Sequence, residues 1–471
     1  MRYLPFAMSS FDFVVIGGGS AGYFAAETAA RLGVNSVCIE GADELGGLCI
    51  LRGCMPSKTL IESANRFLTL RRAEEFGLSA GHLAFDGDAI IRRKRKLIRE
   101  FADYRAKQLQ GGRFVLKRGH ASFLDPFHVK INLRDGGEEE IEGKTFLIAT
   151  GSVLNTIEVP GLEKTGYLHS DLALDAERFP RSVTILGGGS IALEFAHFYN
   201  AFGTDVTVLQ RSSQVIKEMD PDLAAALVDA FECRGIKVIC GTKLKAAELT
   251  KTGKRIRYEQ DGAEHALDAE EVFYALGRKP AIERLGLGNA KVEIGKNGAL
   301  KLNSEMQTSQ PHIFASGDVT GLHEIVHIAI QQGEIAARNA HRLMNGQELE
   351  AIDYRLKLFA IFSEPQLAVV GLSEREAQHQ GLAVRVARYP FNDHGKSMVR
   401  GEIEGFVKLI TDRQTGEIVG GAAVGPEASE LIHEIVVAMH FHATAKTLSK
   451  IPHYHPTLSE IWTYPAEELA T

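Results

Sequence analysis

The apolar positions of this chain set out one pattern twice. In FDFVVIGGGSAGYFAAETAARLG, residues 12–16, apolar from Phe13 on, predict a buried strand, and an Ala-rich helical stretch follows the glycines. VNSVCIE then reads as a second strand ending at Glu40. The pattern returns from residue 183, where SVTILGGGSIALEFAHFYNAFGTDVTVLQRS gives a strand, a glycine turn, a helix and a second strand. Gly17, Gly19 and Gly22 make G-x-G-x-x-G in the first copy, and Gly187, Gly189 and Ala192 stand at the same places in the second. Gly17 to Glu40 is 23 residues, Gly187 to Gln210 is also 23, and the copies are 170 apart. Such glycines let backbone approach a pyrophosphate, the helix N-terminus stabilises its charge, and an acid at the next strand's end accepts hydrogen bonds from a ribose. Two dinucleotide folds are expected, not one.

Between and after the copies the periodicity changes. From about Thr59 to Gln110 it is helical, and the basic run in IIRRKRKLIREFADYRAKQL is interrupted by Ile90, Ile91, Leu97, Ile98 and Phe101. That run reads as a solvated helix face rather than a nucleic-acid patch. Short alternating strands with DP and DGG turns lead to residue 142, and KTFLIATGS predicts a buried strand ending at Ala149-Thr150-Gly151. Residues 220–276 complete the second copy with a helix containing Cys233, a strand near Cys240 and a strand in EEVFYALGRKP, which carries Gly277. TSQPHIFASGDVTG ends a short strand at Gly317-Asp318, where an acid can reach a ribityl chain or a phosphate-bound water, and a helix runs through IAIQQGEIAARNAHRL. After Gly346 the composition shifts. Residues 352–471 read as a separate α+β unit, with strands near 367–371, 385–389, 405–411 and 418–424 and a helix near 428–442.

The chemistry gathers in GGLCILRGCMPSK, Gly46 to Lys58. Cys49 and Cys54 stand five positions apart, without the second pair or nearby histidines that zinc sites bring. Two thiols at this spacing can close a small disulfide ring that opens and closes during turnover, while Gly46 and Gly47 let backbone come close to something bulky. Cys38, Cys233 and Cys240 are read as structural. In the second copy the terminal acid is replaced by Gln210, followed by Arg211, with Ser212, Ser213 and Lys217 beyond. An acid there repels a 2′-phosphate and an Arg attracts it, which favours NADPH over NADH. Near the end, IPHYHPTLSEIW places Glu460 five residues after His455, a spacing at which the acid can orient the imidazole. His453 and His455 lack an obvious third ligand, so no metal is expected.

Composition narrows the class. The chain has 471 residues, 45% apolar and 24% charged, with a net charge of −7, so no global field draws it to nucleic acid or anionic lipid. Five cysteines fit a reducing compartment better than a secreted scaffold, and no apolar run is long enough to span a membrane. The cytoplasm is the expected address. MRYLPFAMSS is too short in apolar residues for a signal peptide and reads as a frayed tail, with Met8 as a possible start.

Together these segments resemble the flavin-dependent pyridine nucleotide–disulfide oxidoreductases, whose branches include lipoamide dehydrogenase, glutathione reductase and mercuric reductase. The resemblance runs from about Phe11 to Glu460. It implies an α/β chain with two Rossmann-like dinucleotide-binding domains and a C-terminal α+β dimerisation domain. The implied bounds are 1–155 with 280–350 for FAD, 156–279 for NAD(P)H and 351–471 for dimerisation. The first fingerprint (Gly17, Gly19, Gly22 and Glu40), Gly47, Thr150, Gly151 and Asp318 would hold FAD. Gly187, Gly189, Gln210, Arg211 and Gly277 are the remaining cofactor candidates, for the nicotinamide nucleotide. By the same resemblance Cys54 lies against the flavin as a charge-transfer thiolate and Cys49 exchanges with a small disulfide substrate. Lys58 and Glu194 pair near the flavin, and His455 with Glu460 is the acid–base pair. In that family the histidine comes from the other subunit, which implies a homodimer.

Departures from the family pattern bear on the substrate. Against the common GGTCLNVGCIPSK, this chain has Leu48, Leu51 and Arg52, which flank the dithiol. Glu27 and Thr28 replace the Arg pair of glutathione reductases, and there is no cysteine after Cys240 to serve mercuric ion. The HPTLSE tail is most similar to lipoamide dehydrogenase, while Gln210-Arg211 departs from its usual acid. The expected function is NAD(P)H:disulfide oxidoreduction of a dihydrolipoamide-like kind. A metal-ion or quinone reductase, and a redox-responsive interaction protein, are the alternatives.

Overall fold

The computed structural model describes residues 9–295 and 298–470. The frayed tail and the choice between Met1 and Met8 lie outside the described residues. The chain divides into two compact units. One comprises residues 1–56, 93–155 and 277–353, the other residues 57–92, 156–276 and 354–471.

The first unit is built on a six-stranded sheet. Ser9–Ile16 lies between Ser36–Glu40 and Glu138–Ile148, parallel to both, and Ile313–Ala315 adds a further parallel strand beside Glu138–Ile148. These strands are near-continuous apolar runs because both faces are covered. Phe13, Val15 and Leu147 pack on one side with the Ala-rich helix Ser20–Arg31 and the helix Val326–Met344. Val14, Ile16, Phe146 and Ile148 pack on the other with Phe123, Val129 and Ile131 of an antiparallel meander. Glu138–Ile148 serves both layers: its start pairs with His128–Leu133 and the rest with Ser9–Ile16.

The second unit repeats the parallel plan in a five-stranded sheet, with Lys237–Ile239, Asp205–Leu209, Ser182–Leu186, Glu271–Tyr274 and Leu168–His169 in that order. It also holds the C-terminal antiparallel sheet of Leu358–Ile361, Gln366–Gly371, Ile418–Gly425, Phe406–Asp412 and Val384–Pro390. The helix Ala428–His440 and the fully buried Trp462 cover the latter sheet. A single apolar cluster runs from Ile185, Leu193 and Phe273 to Ile361, Leu367 and Val424.

A buried ionic cluster ties the same unit together. Lys408, with no exposed surface, reaches Asp220 and Asp222 at 2.8 Å and Glu374 at 2.9 Å. Burial alone would lower the Lys408 pKa, but the bonds to Asp220, Asp222 and Glu374 raise it, so the ammonium stays charged.

Three expectations are corrected. The helical stretch from Thr59 to Gln110 is two helices, Cys54–Arg71 and Gly87–Gln110, separated by a short turn at Ala73–Phe76 and Gly77 in the left-handed region. EEVFYALGRKP is not one strand: Glu271–Tyr274 belongs to the parallel sheet, and Arg278–Pro280 pairs with Ser152–Leu154 in the first unit. An antiparallel sheet of Lys243–Leu249, Lys254–Gln260 and Ala263–Ala269 was not anticipated. It is charged on its exposed face and its turns are short, so its alternation was masked by Lys, Arg and Glu.

Candidate active site

The two fingerprints take the same geometry. Gly17 has φ +108° and Gly187 φ +110°, and a Cβ on either would lie 2.3 Å from a carbonyl oxygen, of Ala149 in one and Ala275 in the other. Each turn leads into a twelve-residue helix whose N-cap, Gly19 or Gly189, offers no side chain to its first turn. The open N–H groups are directed at whatever lies beyond the turn, and they suit a pyrophosphate. Glu40 is buried, with Oε2 accepting from Gly18 N–H at 2.7 Å and Oε1 from Ala42 N–H at 2.7 Å. A carboxylate has about four acceptor sites, so two remain for ribose hydroxyls. At the matching place Gln210 accepts from Arg211 N–H at 3.1 Å and donates to the Gln214 carbonyl at 3.3 Å. The Arg211 side chain is exposed beyond the strand end.

The dithiol segment folds onto the first fingerprint. Gly47, at φ +72°, opens the short helix Gly47–Leu51, and a Cβ there would sit 2.7 Å from Gly19 Cα. Any larger residue would force the two turns apart. Cys49 lies in that helix, and Cys54 begins the helix Cys54–Arg71; both are half-buried. Gly53 folds back so closely that a Cβ on it would meet Cys49 Cα at 3.2 Å, which brings the chain before Cys54 against Cys49.

On the same unit, Thr150 Oγ1 donates to the Ala281 carbonyl at 2.8 Å, and Gly151 has φ +71°. Ser152 Oγ donates to Asp318 Oδ2 at 2.7 Å and receives Arg278 Nε at 2.8 Å. The Gly277 carbonyl accepts from Asn155 N–H at 3.1 Å, so Gly277 sits with this segment. Glu324 stands nearby, its pKa raised by burial and by the charge of Asp318 against the opposing pull of Arg278. Cys38 is fully buried, and burial with the Glu40 charge pushes its thiol pKa far up, which leaves it inert.

Two further pairs lie in the second unit. Lys58 Nζ donates to both Glu194 oxygens at 2.8 Å and stands 4.7 Å from the centre of the Phe362 ring. Phe362 N–H gives Glu194 Oε1 a further bond at 3.1 Å. His455 Nδ1 lies 3.0 Å from Glu460 Oε2, with Glu460 largely buried and the His455 side chain 78% exposed. Nε2 of His455 takes no part in that contact. His453 is engaged by Glu434 at 2.6 Å.

Sequence reasoning passed over two side chains here. His394 is buried against Glu460, and nothing in its surroundings along the chain announces that contact. Arg105 stacks 4.2 Å from the Tyr23 ring centre and 5.5 Å from that of Phe24, with Nε and Nη1 enclosed and unpartnered. The helical period marked Arg105 only as one cation of a basic helix.

Residues 11–333 match the family model described as pyridine nucleotide-disulphide oxidoreductase, and residues 359–466 match that family's dimerisation domain. Dihydrolipoyl dehydrogenases of Chlamydia muridarum and Bacillus subtilis are each 34% identical to the chain over 96% of its length, and 95% and 96% of theirs. The structure of LpdA from Mycobacterium tuberculosis is similar with a TM-score of 0.86 at 27% identity, over 97% of this chain and 99% of that one. The Cu(II) complex of RclA, an HOCl-induced flavoprotein disulfide reductase from Escherichia coli, gives 0.84 at 25% identity, over 98% and 100%.

Proposed function

The chain belongs to the pyridine nucleotide-disulphide oxidoreductases, enzymes that use FAD and a nicotinamide nucleotide, and from this premise we propose that it passes electrons from NADPH to a small, dihydrolipoamide-like disulfide through Cys49 and Cys54. The observation that carries the reading is the seating of Gly47 on Gly19, which fixes the dithiol segment at the mouth of the first glycine turn. That turn, its open helix N-terminus and Glu40 fit the ADP half of FAD, and the second turn with Arg211 fits a 2′-phosphorylated nucleotide. Bound FAD supplies the two-electron link between nicotinamide and dithiol.

The residues then divide the work. The Cys49 thiolate attacks one substrate sulfur, giving a mixed disulfide and releasing the first thiol. The Cys54 thiolate attacks the Cys49 sulfur, so the Cys49–Cys54 disulfide forms as the second thiol leaves. His455, held by Glu460, gives its Nε2 proton to the departing sulfur, a service worth about 10²–10⁴-fold. Substrate disulfide and enzyme dithiol thus become two thiols and an enzyme disulfide. Lys58, neutralised by Glu194, sits four positions beyond Cys54 in the same helix, where it stabilises negative charge. We read the domains as first drawn, with His455 completing the site of a second copy in a homodimer, and place the protein in the cytoplasm, where a dithiol is kept reducible.

The test is anaerobic titration of the purified flavoprotein with NADPH and NADH. Long-wavelength absorbance should appear on reduction and vanish in Cys54→Ala. Bleaching of the flavin without that band in the parent enzyme sinks the dithiol route. Metal-ion reduction is the second reading, favoured by the Cu(II) complex of RclA. Reduction of Cu(II) that persists in Cys49→Ser, with disulfide turnover lost, would select it.

A further inference from the structure

Glu460 has two oxygens, and each faces a different imidazole. Oε2 takes His455 Nδ1 at 3.0 Å. Oε1 stands 3.4 Å from Nε2 of His394, a ring with no exposed surface between the strand Val384–Pro390 and the helix Gly395–Arg400. His394 Nε2 is enclosed without a well-formed hydrogen bond, and 3.4 Å is a stretched N–H···O contact of the kind that tightens when a site is loaded. On the ring's other side Nδ1 lies 2.8 Å from Ser397 Oγ.

The chemistry of the ring follows from these partners. Burial lowers the His394 pKa, against the pull of Glu460, so the ring is neutral at working pH. A neutral imidazole has one donor and one acceptor nitrogen. A proton on Nδ1 would leave the Nε2 lone pair facing a carboxylate oxygen, which is repulsive in a dry site. A proton on Nε2 points at Glu460, and Ser397 O–H donates to Nδ1. The carboxylate therefore selects the tautomer, and the Ser397 hydroxyl, able to donate or accept, supplies the matching donor to Nδ1. Being neutral, His394 fixes Glu460 without cancelling the negative charge on which a His455 imidazolium depends.

We propose that His394 is a positioning residue for proton transfer, holding Glu460 turned toward His455 through the order Ser397–His394–Glu460–His455. The inference rests on the reading of His455 as the acid–base group. The Thr457 backbone and the rings of Phe391 and Tyr464 pack on the ring, and Tyr389, which bonds Asp393, stacks on Tyr464. Asp393 precedes His394 and Lys396 follows it by two positions; both side chains point from the short segment that carries the ring.

The experiment uses the FAD-loaded full chain and reads the pH dependence of kcat/KM for disulfide reduction. Without its second donor, Glu460 turns away from His455 and orients that imidazole less well. In His394→Leu the alkaline limb should move down by about one pH unit. His394→Gln, which returns an N–H near the place of Nε2, should keep the parent's limb, and Ser397→Ala should shift it in the same direction by less. The pH dependence of diethyl pyrocarbonate modification of His455, located by peptide mass, should shift in parallel without any turnover. An unmoved limb in a folded, flavin-bearing His394→Leu overturns the proposal. So does an equal, pH-independent loss in the Leu and Gln variants. If His455→Gln leaves the profile of the parent unchanged, the acid–base reading itself falls, and this proposal with it.

Discussion

Where the first dinucleotide fold ends its second strand with an acid, Glu40, the second has an amide, Gln210. Glu40 and Gln210 occupy the same place, each packed over the middle glycine of its turn: a Cβ on Gly18 would meet Glu40 at 3.0 Å, and one on Gly188 would meet Gln210 at 3.1 Å. The difference is therefore electrostatic rather than steric. Glu40 offers charge and spare lone pairs to two ribose hydroxyls, whereas Gln210 is neutral and has Arg211, exposed, as its neighbour. A 2′-phosphate beside a carboxylate is repelled and beside a guanidinium is bound. Arg211→Glu should lower kcat/KM for NADPH relative to NADH by about 10- to 100-fold, the worth of one or two charge-assisted hydrogen bonds. A ratio that does not move would mean that Arg211 points away from the nucleotide in the complex.

Elements are joined here by contacts that tolerate no side chain, and these decide what a sequence can disclose. The helix Gly47–Leu51 meets the start of the helix Ser20–Arg31 at Gly47 and Gly19. Gly47→Ala adds a methyl 2.7 Å from Gly19 Cα at a backbone angle that L residues avoid. The variant should fold, since the apolar cores lie elsewhere, but purify with a markedly lower FAD-to-protein absorbance ratio; full flavin content would show that the contact is not needed for binding. Strand–glycine–helix units and the spaced cysteines were legible because their chemistry is local: φ beyond +100° at Gly17 and Gly187 leaves few other residues possible. The break between Arg71 and Gly87 was not legible. Apolar residues continue through it, and the marks of the break are Gly77 and Gly81, both in the left-handed region, and Asp86, which accepts from Ala89 N–H at the start of the next helix. The sheet from Lys243 to Ala269 was hidden for a related reason: its buried face is narrow, with Ala247, Ile256 and Tyr258 set among Lys, Arg and Glu. His394 was invisible because its partner, Glu460, is brought to it by tertiary structure.

At the scale of the whole molecule, the second unit holds together partly through buried charge, and this gives stability its own pH dependence. Each acid of the Lys408 cluster faces a cation: Lys408 reaches all three, and Arg388 also pairs with Asp222 and Glu374. Asp222 is held below its ordinary pKa, since the bonds from Lys408 and Arg388 outweigh the cost of burial. Glu364 is not matched. Burial, with the charges of Glu402 and Glu404, pushes its pKa up to about 7 despite Arg234 and Arg72. Arg234 is itself occupied: it donates to the Glu364 carbonyl at 2.5 Å and to Asn200 at 3.2 Å, and lies 3.2 Å from buried His197 Nδ1. A carboxyl whose folded pKa lies above its unfolded one binds protons in the folded state, so it takes stability away as pH rises from about 4.3 toward 7. The loss is complete above that window and absent below it. Glu364→Gln keeps the shape and removes the titration, so the denaturant midpoint should rise at pH 8, by about 2 kcal/mol once partial solvent access is allowed for, and stay level near pH 4. An equal change at both pH values would assign the effect to packing. A fall at pH 8 alone would mean that the ionised carboxylate is paired after all, with Arg234 turned from its carbonyl to its side chain.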